Sequence, residues 1–331
     1  MASFINVARW EGFKLRQRRM PWILLAVFLG FTQLAVWGNY LAYNAAVASG
    51  GFVSIPEGMS RGMPRGLRCD DLKSKPSQIL PAQVSPQAVP MLLAQCEQQL
   101  ATRYRSMLPM GSTSAALGVA NFIGLVLLAI LGASAFGSEY SLGTLRPILV
   151  RGVGRSSWLA GKFLLLAAAV TAALLLVLGA AALGGVLISK MVVPPTIPLD
   201  IAGSWSDVAQ SCLRVWASML AFLTMASAIT LFTRSTAAGM AVSLGWYIFE
   251  SVFIRLMSAA FSWFATVADY LPMRNLAALG RASFGPVSAL AAGSTISTTH
   301  ASLMTAVYAV GFAGLAVAVF RSRDIGGISG G

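Results

Sequence analysis

The chain has 331 residues, 56% of them hydrophobic and only 11% charged, where an average soluble domain carries roughly 25% charged residues. That load of apolar side chains, with a mean hydropathy of +0.72, excludes a soluble globular domain and calls for a bilayer as solvent. The net charge of +13, from 24 Lys and Arg against 11 Asp and Glu, does not point to nucleic acid. No long basic patch with interleaved aromatics occurs, and basic residues at membrane boundaries face anionic lipid and set topology.

Residues 1–22 are the first predicted element, a cytoplasmic interfacial helix. Phe4, Val7 and Trp10 recur at helical spacing, with Glu11 and Lys14 among them. That pattern suits a helix packed partly on lipid and partly on protein. The segment is too long and too mixed for the basic start of a cleaved signal peptide. Crossing a hydrocarbon core of roughly 30 Å takes about 20 helical residues. Six runs approach or exceed that length: 23–47, 114–137, 163–189, 212–232, 237–254 and 301–320. Backbone groups in lipid must be satisfied within the segment, so all six are predicted as helices; no run alternates as an outer-membrane strand does.

The first two spans are separated by a Pro- and Gly-rich loop, 48–113, whose later part (Pro90–Leu108) has the composition of a helix. Cys69 and Cys96 lie in it, and on an extracytoplasmic face they suggest a disulfide; two free thiols in a reducing compartment are the alternative. Cys212 reads as a small buried apolar residue. Segment 190–211 is a second outer loop. The fourth and fifth spans are joined by 233–236 alone, a tight helical hairpin. Segment 255–300 is moderately apolar and broken by Pro272 and Pro286, with Trp263 and Tyr270 suited to the headgroup level. It is predicted as short helices re-entering from the outer interface. The tail, 321–331, is cytoplasmic.

Orientation follows from Lys and Arg near span ends in short loops. Arg9, Lys14, Arg16, Arg18 and Arg19 share a side with Arg146, Arg151, Arg155 and Lys162, with Arg234, and with Arg321 and Arg323. That side is read as the cytoplasm, with both termini inside. The loop 48–113 is also basic, but long loops largely escape the rule.

Enzymatic chemistry finds little to stand on. His300 is the one histidine and reads as a helix-end residue. The sequence GISG at Gly327–Gly330 lies in a Gly-rich tail, whereas a nucleophile such as Ser329 needs fixed geometry with its base. GRSSWLAGKF at Gly154–Phe163 departs from a phosphate-binding loop at Ser156 and Phe163. No catalytic, cofactor or metal site is assigned within the chain.

Polar residues inside the spans are the remaining candidates. A mid-membrane charge costs about 2.5–3.5 kcal/mol on insertion scales, so Glu250 should face protein or water. Arg255, five positions on, is its candidate partner, and the pair either lines a pathway or gate or fixes the fifth span against its neighbours. Gln33 and Asn121, with Asn39 and Asn44, are weaker pathway candidates and more often serve as interhelical hydrogen-bonding groups. Ala180 and Gly184 permit close packing of the third span.

The connector 138–162 is the densest polar feature. Glu139 ends the second span, Gly143 loosens the backbone, and Thr144–Val150 can form a short helix that Pro147 keeps from running on. Gly152 and Gly154 allow a turn, and Ser156 or Ser157 can cap the next helix. An ordinary positive-inside loop accounts for the arginines but not for the Glu-Tyr pair, the paired glycines or the compact turn.

EYSLGTLRPILVRGVGRSSWLAGK, Glu139–Lys162, closely resembles the cytoplasmic signature of ABC-2-type transporter permeases, the membrane subunits of ATP-binding cassette exporters. The matching elements are Glu-Tyr, Gly-Thr-Leu-Arg, Arg-Gly-Val-x-Arg and Gly-Lys. FRSRDI at Phe320–Ile325 also resembles the end of such permeases. The resemblance implies an all-α integral membrane fold of six spans with the short cytoplasmic helix acting as a coupling helix. Glu139, Tyr140, Gly143, Thr144, Leu145, Arg146, Arg151, Arg155 and Lys162 would then face an ATPase. It further implies two permease subunits, as a homodimer or with a similar subunit, and two ATPase subunits that carry ATP and Mg. The setting would be the plasma or inner membrane, with lipid around the spans. Glu139 is expected to be anchored by an arginine of the N-terminal helix, Arg9 or Arg16. The alternatives are an ATPase-independent secondary transporter or channel, and, more remotely, an intramembrane hydrolase built on His300 or Ser329.

Overall fold

The structure is a computed structural model that describes residues 4–49, 88–144, 154–192, 204–280 and 296–322. Among these, every regular element is a helix. In chain order they are α1 (Phe4–Gln17), α2 (Arg19–Ser49), α3 (Ala88–Met107), α4 (Pro109–Val119), a π-helical turn (Ala120–Gly124) and α5 (Leu125–Ser141). Next come α6 (Arg155–Met191), α7 (Trp205–Thr233), α8 (Thr236–Ala260), α9 (Phe264–Ala268), α10 (Pro272–Leu279) and α11 (Thr298–Ser322). Six stretches are long and apolar enough to cross a membrane: α2, the run from α4 through α5, α6, α7, α8 and α11. Each extends a few residues past the limits set by hydropathy, because polar and charged residues continue a helix after the apolar run has stopped. The third helix therefore begins at Arg155 rather than at 163. Its first helical bond runs from the Trp158 N–H to the Gly154 carbonyl, 3.0 Å. Gly154 is the cap, and neither Ser156 nor Ser157 is.

The chain divides into two compact units. One comprises residues 1–31, 117–177 and 209–331. Here α5 packs on α7 and α8 through small residues. A Cβ on Gly132 would stand 3.1 Å from the Leu223 side chain, and one on Gly137 would stand 2.7 Å from the Thr236 Cα. Ala129 and Ala133 continue that stripe and are fully buried. Small residues let backbones approach, the main source of helix association where lipid is as apolar as the side chains. The hairpin between α7 and α8 turns at Arg234, whose φ of 54° lies in the left-handed region. Ser235 caps α8 by accepting from the Ala238 N–H at 3.3 Å. Phe136 packs edge-on to Trp158, centroids 6.1 Å apart, and Trp158 stacks on Phe320 at 5.1 Å, joining α5, α6 and α11.

The other unit comprises residues 32–116 and 178–208. Gln33 on α2 donates to the Ala180 carbonyl on α6 at 3.0 Å. Gly184 lies close enough that a Cβ would meet Val36 at 3.1 Å. The expected close packing of the third span occurs at these residues. The helix foreseen after Pro90 is α3, and it turns into α4 at Pro109. Cys96 is fully buried and disulfide-bonded; Cys69 lies outside the described residues, and Cys212 is a free thiol.

Candidate functional site

The connector begins where α5 ends. The Leu142 N–H donates to the Ser138 carbonyl at 3.0 Å and the Gly143 N–H to Tyr140 at 3.2 Å, with Gly143 at φ +63°. Only glycine enters that conformation without steric cost, so Gly143 terminates the helix. Glu139 lies in the last turn, where the helix dipole disfavours a carboxylate, and it is 1% exposed. Compensation comes from three sides. Lys162 Nζ on α6 stands 3.1 Å from Glu139 Oε1, Lys14 Nζ on α1 stands 3.5 Å from the same oxygen, and Thr144 Oγ1 donates to Oε2 at 2.5 Å. Glu11 closes the cluster, 3.4 Å from Lys162 and 3.1 Å from Lys14. Two carboxylates and two ammonium groups thus neutralise one another, with Lys162 also 4.6 Å from the Trp158 ring centroid.

Such a cluster repays its desolvation only while complete, and removing one partner of a buried pair costs about 3–5 kcal/mol. It ties α1, α5 and α6 together at one point. The expected arginine anchor is corrected: Arg9 and Arg16 are exposed, and the cation that α1 supplies to Glu139 is Lys14. The reason is helical register. Glu11 and Lys14 share the face of α1 that meets α5, and Arg18, just past its end, donates to Ser138 Oγ at 2.8 Å. Trp10 and Phe13 stack on each other and remain mostly exposed.

Of the other connector residues, Tyr140 is half-buried, and Arg155 donates to the Arg321 carbonyl on α11 at 3.0 Å. Leu145, Arg146 and Arg151 lie outside the described residues, as do Ser329 and the GISG sequence. The described residues gather no group of three or more His, Cys, Asp or Glu able to hold a metal ion.

Glu250 lies within α8, which does not end at it. Nor does it pair with Arg255, which is exposed: a separation of five residues turns the two side chains well apart on the helix. The carboxylate instead caps the start of α10. Oε1 accepts from the Arg274 N–H at 2.9 Å, the Met273 N–H is also directed at it, and Oε2 accepts from Trp246 Nε1 at 3.0 Å. Leu271 offers α10 no capping side chain, and an anion at a helix N-terminus fills that need. Arg274 turns its guanidinium to Asp269 at 3.0 Å. His300 sits in the first turn of α11, its Nε2 3.1 Å from the Asp269 carbonyl oxygen, and Tyr308 donates to the Tyr270 carbonyl.

Asn121 is fully buried in the π turn. Its Oδ1 accepts from Ser218 at 3.4 Å, and its Nδ2 has no partner among the described residues. Gly280 lies against it, leaving no room for a Cβ.

Glu11 and Lys14 are the members of the cluster that sequence reading did not place in it. They registered as breaks in an apolar face, and Lys14 also as one of the basic residues that set orientation; two opposite charges at such breaks were the available signal.

Six membrane-length helices among the described residues, with buried, internally paired charge, define a multi-pass membrane protein. Residues 91–326 match the family DUF2705, described as "Protein of unknown function", and the chain belongs to that family. No curated protein and no solved structure matches it.

Proposed function

We propose that the chain is the permease subunit of an ATP-driven exporter of the ABC-2 type. A separate ATPase would bind ATP and Mg, and two permease subunits, preferably identical, would assemble with two ATPases. The observation that carries this reading is the Glu139 cluster. A push on the connector reaches Thr144 and Glu139 first, and through the two lysines it reaches α1 and α6. Three elements then move as one body instead of the loop deforming alone. In this scheme the connector is the coupling helix, and Arg146 and Arg151 meet carboxylates of the ATPase. Both termini face the cytoplasm of a plasma or inner membrane, and α9 and α10 re-enter from the opposite face. Glu250 holds α10 against α8, which gives this outer region a fixed attachment to a span.

The test is purification of the chain with its partners from native membranes. The expected result is a nucleotide hydrolase in the complex whose substrate-stimulated activity falls at least about tenfold with Glu139→Gln, the factor that 1.4 kcal/mol of lost coupling would produce. Arg146→Ala should detach the hydrolase. Transport by the purified chain alone, unaffected by either substitution, would instead establish an ATPase-independent transporter.

A further inference from the structure

Within the first unit lies an open trough of ≈ 300 Å³ bounded by α1, α2, α5, α6 and Met219 of α7. Its walls are apolar along nearly their whole length: Leu128 on α5, Ala172 on α6 and the Pro21–Phe28 face of α2 are representative. The trough follows α2 from Pro21 to Phe28, roughly 10 Å at 1.5 Å per residue. One charged side chain lines it, Arg16, at the end where α1 gives way to α2. Trp22 Nε1 donates to the Arg16 carbonyl at 3.0 Å, fixing that turn at the mouth. Of the neighbouring cations, Lys14 is engaged with Glu11 and Glu139 and Arg18 with Ser138, while Arg19 is exposed and does not line the trough. The guanidinium of Arg16 is exposed and makes no bond among the described residues.

We infer that this trough holds the headgroup-proximal segment of one acyl chain of an anionic phospholipid, with the lipid phosphate at Arg16. Water has too few polar partners on these walls to fill it, whereas an alkyl chain matches them. A phosphate brings the charge complementary to Arg16 in a geometry that guanidinium binds bidentately. The inference requires only that the six apolar helices lie in a bilayer. It does not depend on an ATPase partner.

The experiment is reconstitution of the full chain in nanodiscs of mixed phosphatidylglycerol and phosphatidylcholine, followed by native mass spectrometry of retained lipid. The wild type should retain phosphatidylglycerol preferentially. Arg16→Gln should cut that preference about fivefold, the factor expected for one basic residue at an anionic surface, while Arg9→Gln, exposed on the same helix, should not. Ala172→Trp should expel the bound lipid at unchanged melting temperature; Ala169→Phe fills the same trough should the first variant not fold. Equal preference in wild type and Arg16→Gln would overturn the assignment. So would an Ala172→Trp protein that retains its lipid but loses dimers, which would assign the trough to a second copy.

Discussion

At the scale of single residues, charge placement separates what hydropathy can reveal from what it cannot. Glu139 and Lys162 stood out in the sequence because they flank apolar runs, but their partners on α1 did not. A partner more than a hundred residues away leaves no local trace, and Glu11 and Lys14 lowered the apolar character of their helix without saying what they faced. Glu250 was legible as a group needing protein around it; its partners, the N–H groups of α10 and the Trp246 indole, follow from tertiary placement alone. Two predictions belong here. Glu139→Lys should lower the melting temperature in detergent, in line with a loss of about 3–5 kcal/mol on breaking a buried pair, and adding Lys162→Glu should recover part of it by restoring net neutrality. Full recovery without the second change would remove the cluster from the account. Glu250→Gln keeps an acceptor for the Arg274 N–H and should leave stability nearly unchanged. Glu250→Leu should cost about 0.5–2 kcal/mol, the range for a lost helix cap, and Arg255→Gln should cost nothing measurable.

At the scale of elements, the six spans were readable from apolar length, and the helix after Pro90 from its composition. The ends were less so, since a helix stops where its backbone is capped. α5 ends because Gly143 takes φ +63°, and α6 starts because Gly154 accepts the first helical bond. Gly143→Ala should therefore destabilise by roughly 1–2 kcal/mol through backbone strain alone, because no neighbouring atom lies within 4 Å of the added methyl. Gly137 is the opposite case. Its helical backbone accepts any residue, but a side chain there collides with Thr236 at the start of α8. Gly137→Leu should separate α5 from the α7–α8 hairpin and leave little folded protein by size-exclusion chromatography. A monodisperse Gly137→Leu protein with wild-type melting would contradict that packing.

At the scale of the whole molecule, pattern and structure agree on an all-helical, multi-pass protein, and among the described residues Glu11, Glu139, Lys162 and Glu250 are the buried charged groups. Substrate chemistry has no comparable signature, because the polar groups within the spans, Gln33, Asn121 and Glu250, are occupied in part by bonds that hold helices together. The central claim is that the end of α5 is worked from outside this polypeptide. Leu142 is the residue to interrogate: it is exposed, lies one residue before the Gly143 turn and takes no part in the charge cluster. A photo-reactive amino acid at position 142, irradiated in intact membranes, should crosslink a nucleotide-hydrolysing protein on the cytoplasmic side, with the yield changing between ATP-bound and nucleotide-free states. Labelling of position 142 from the extracytoplasmic side, or a crosslinked product that never contains such a protein, would contradict the account.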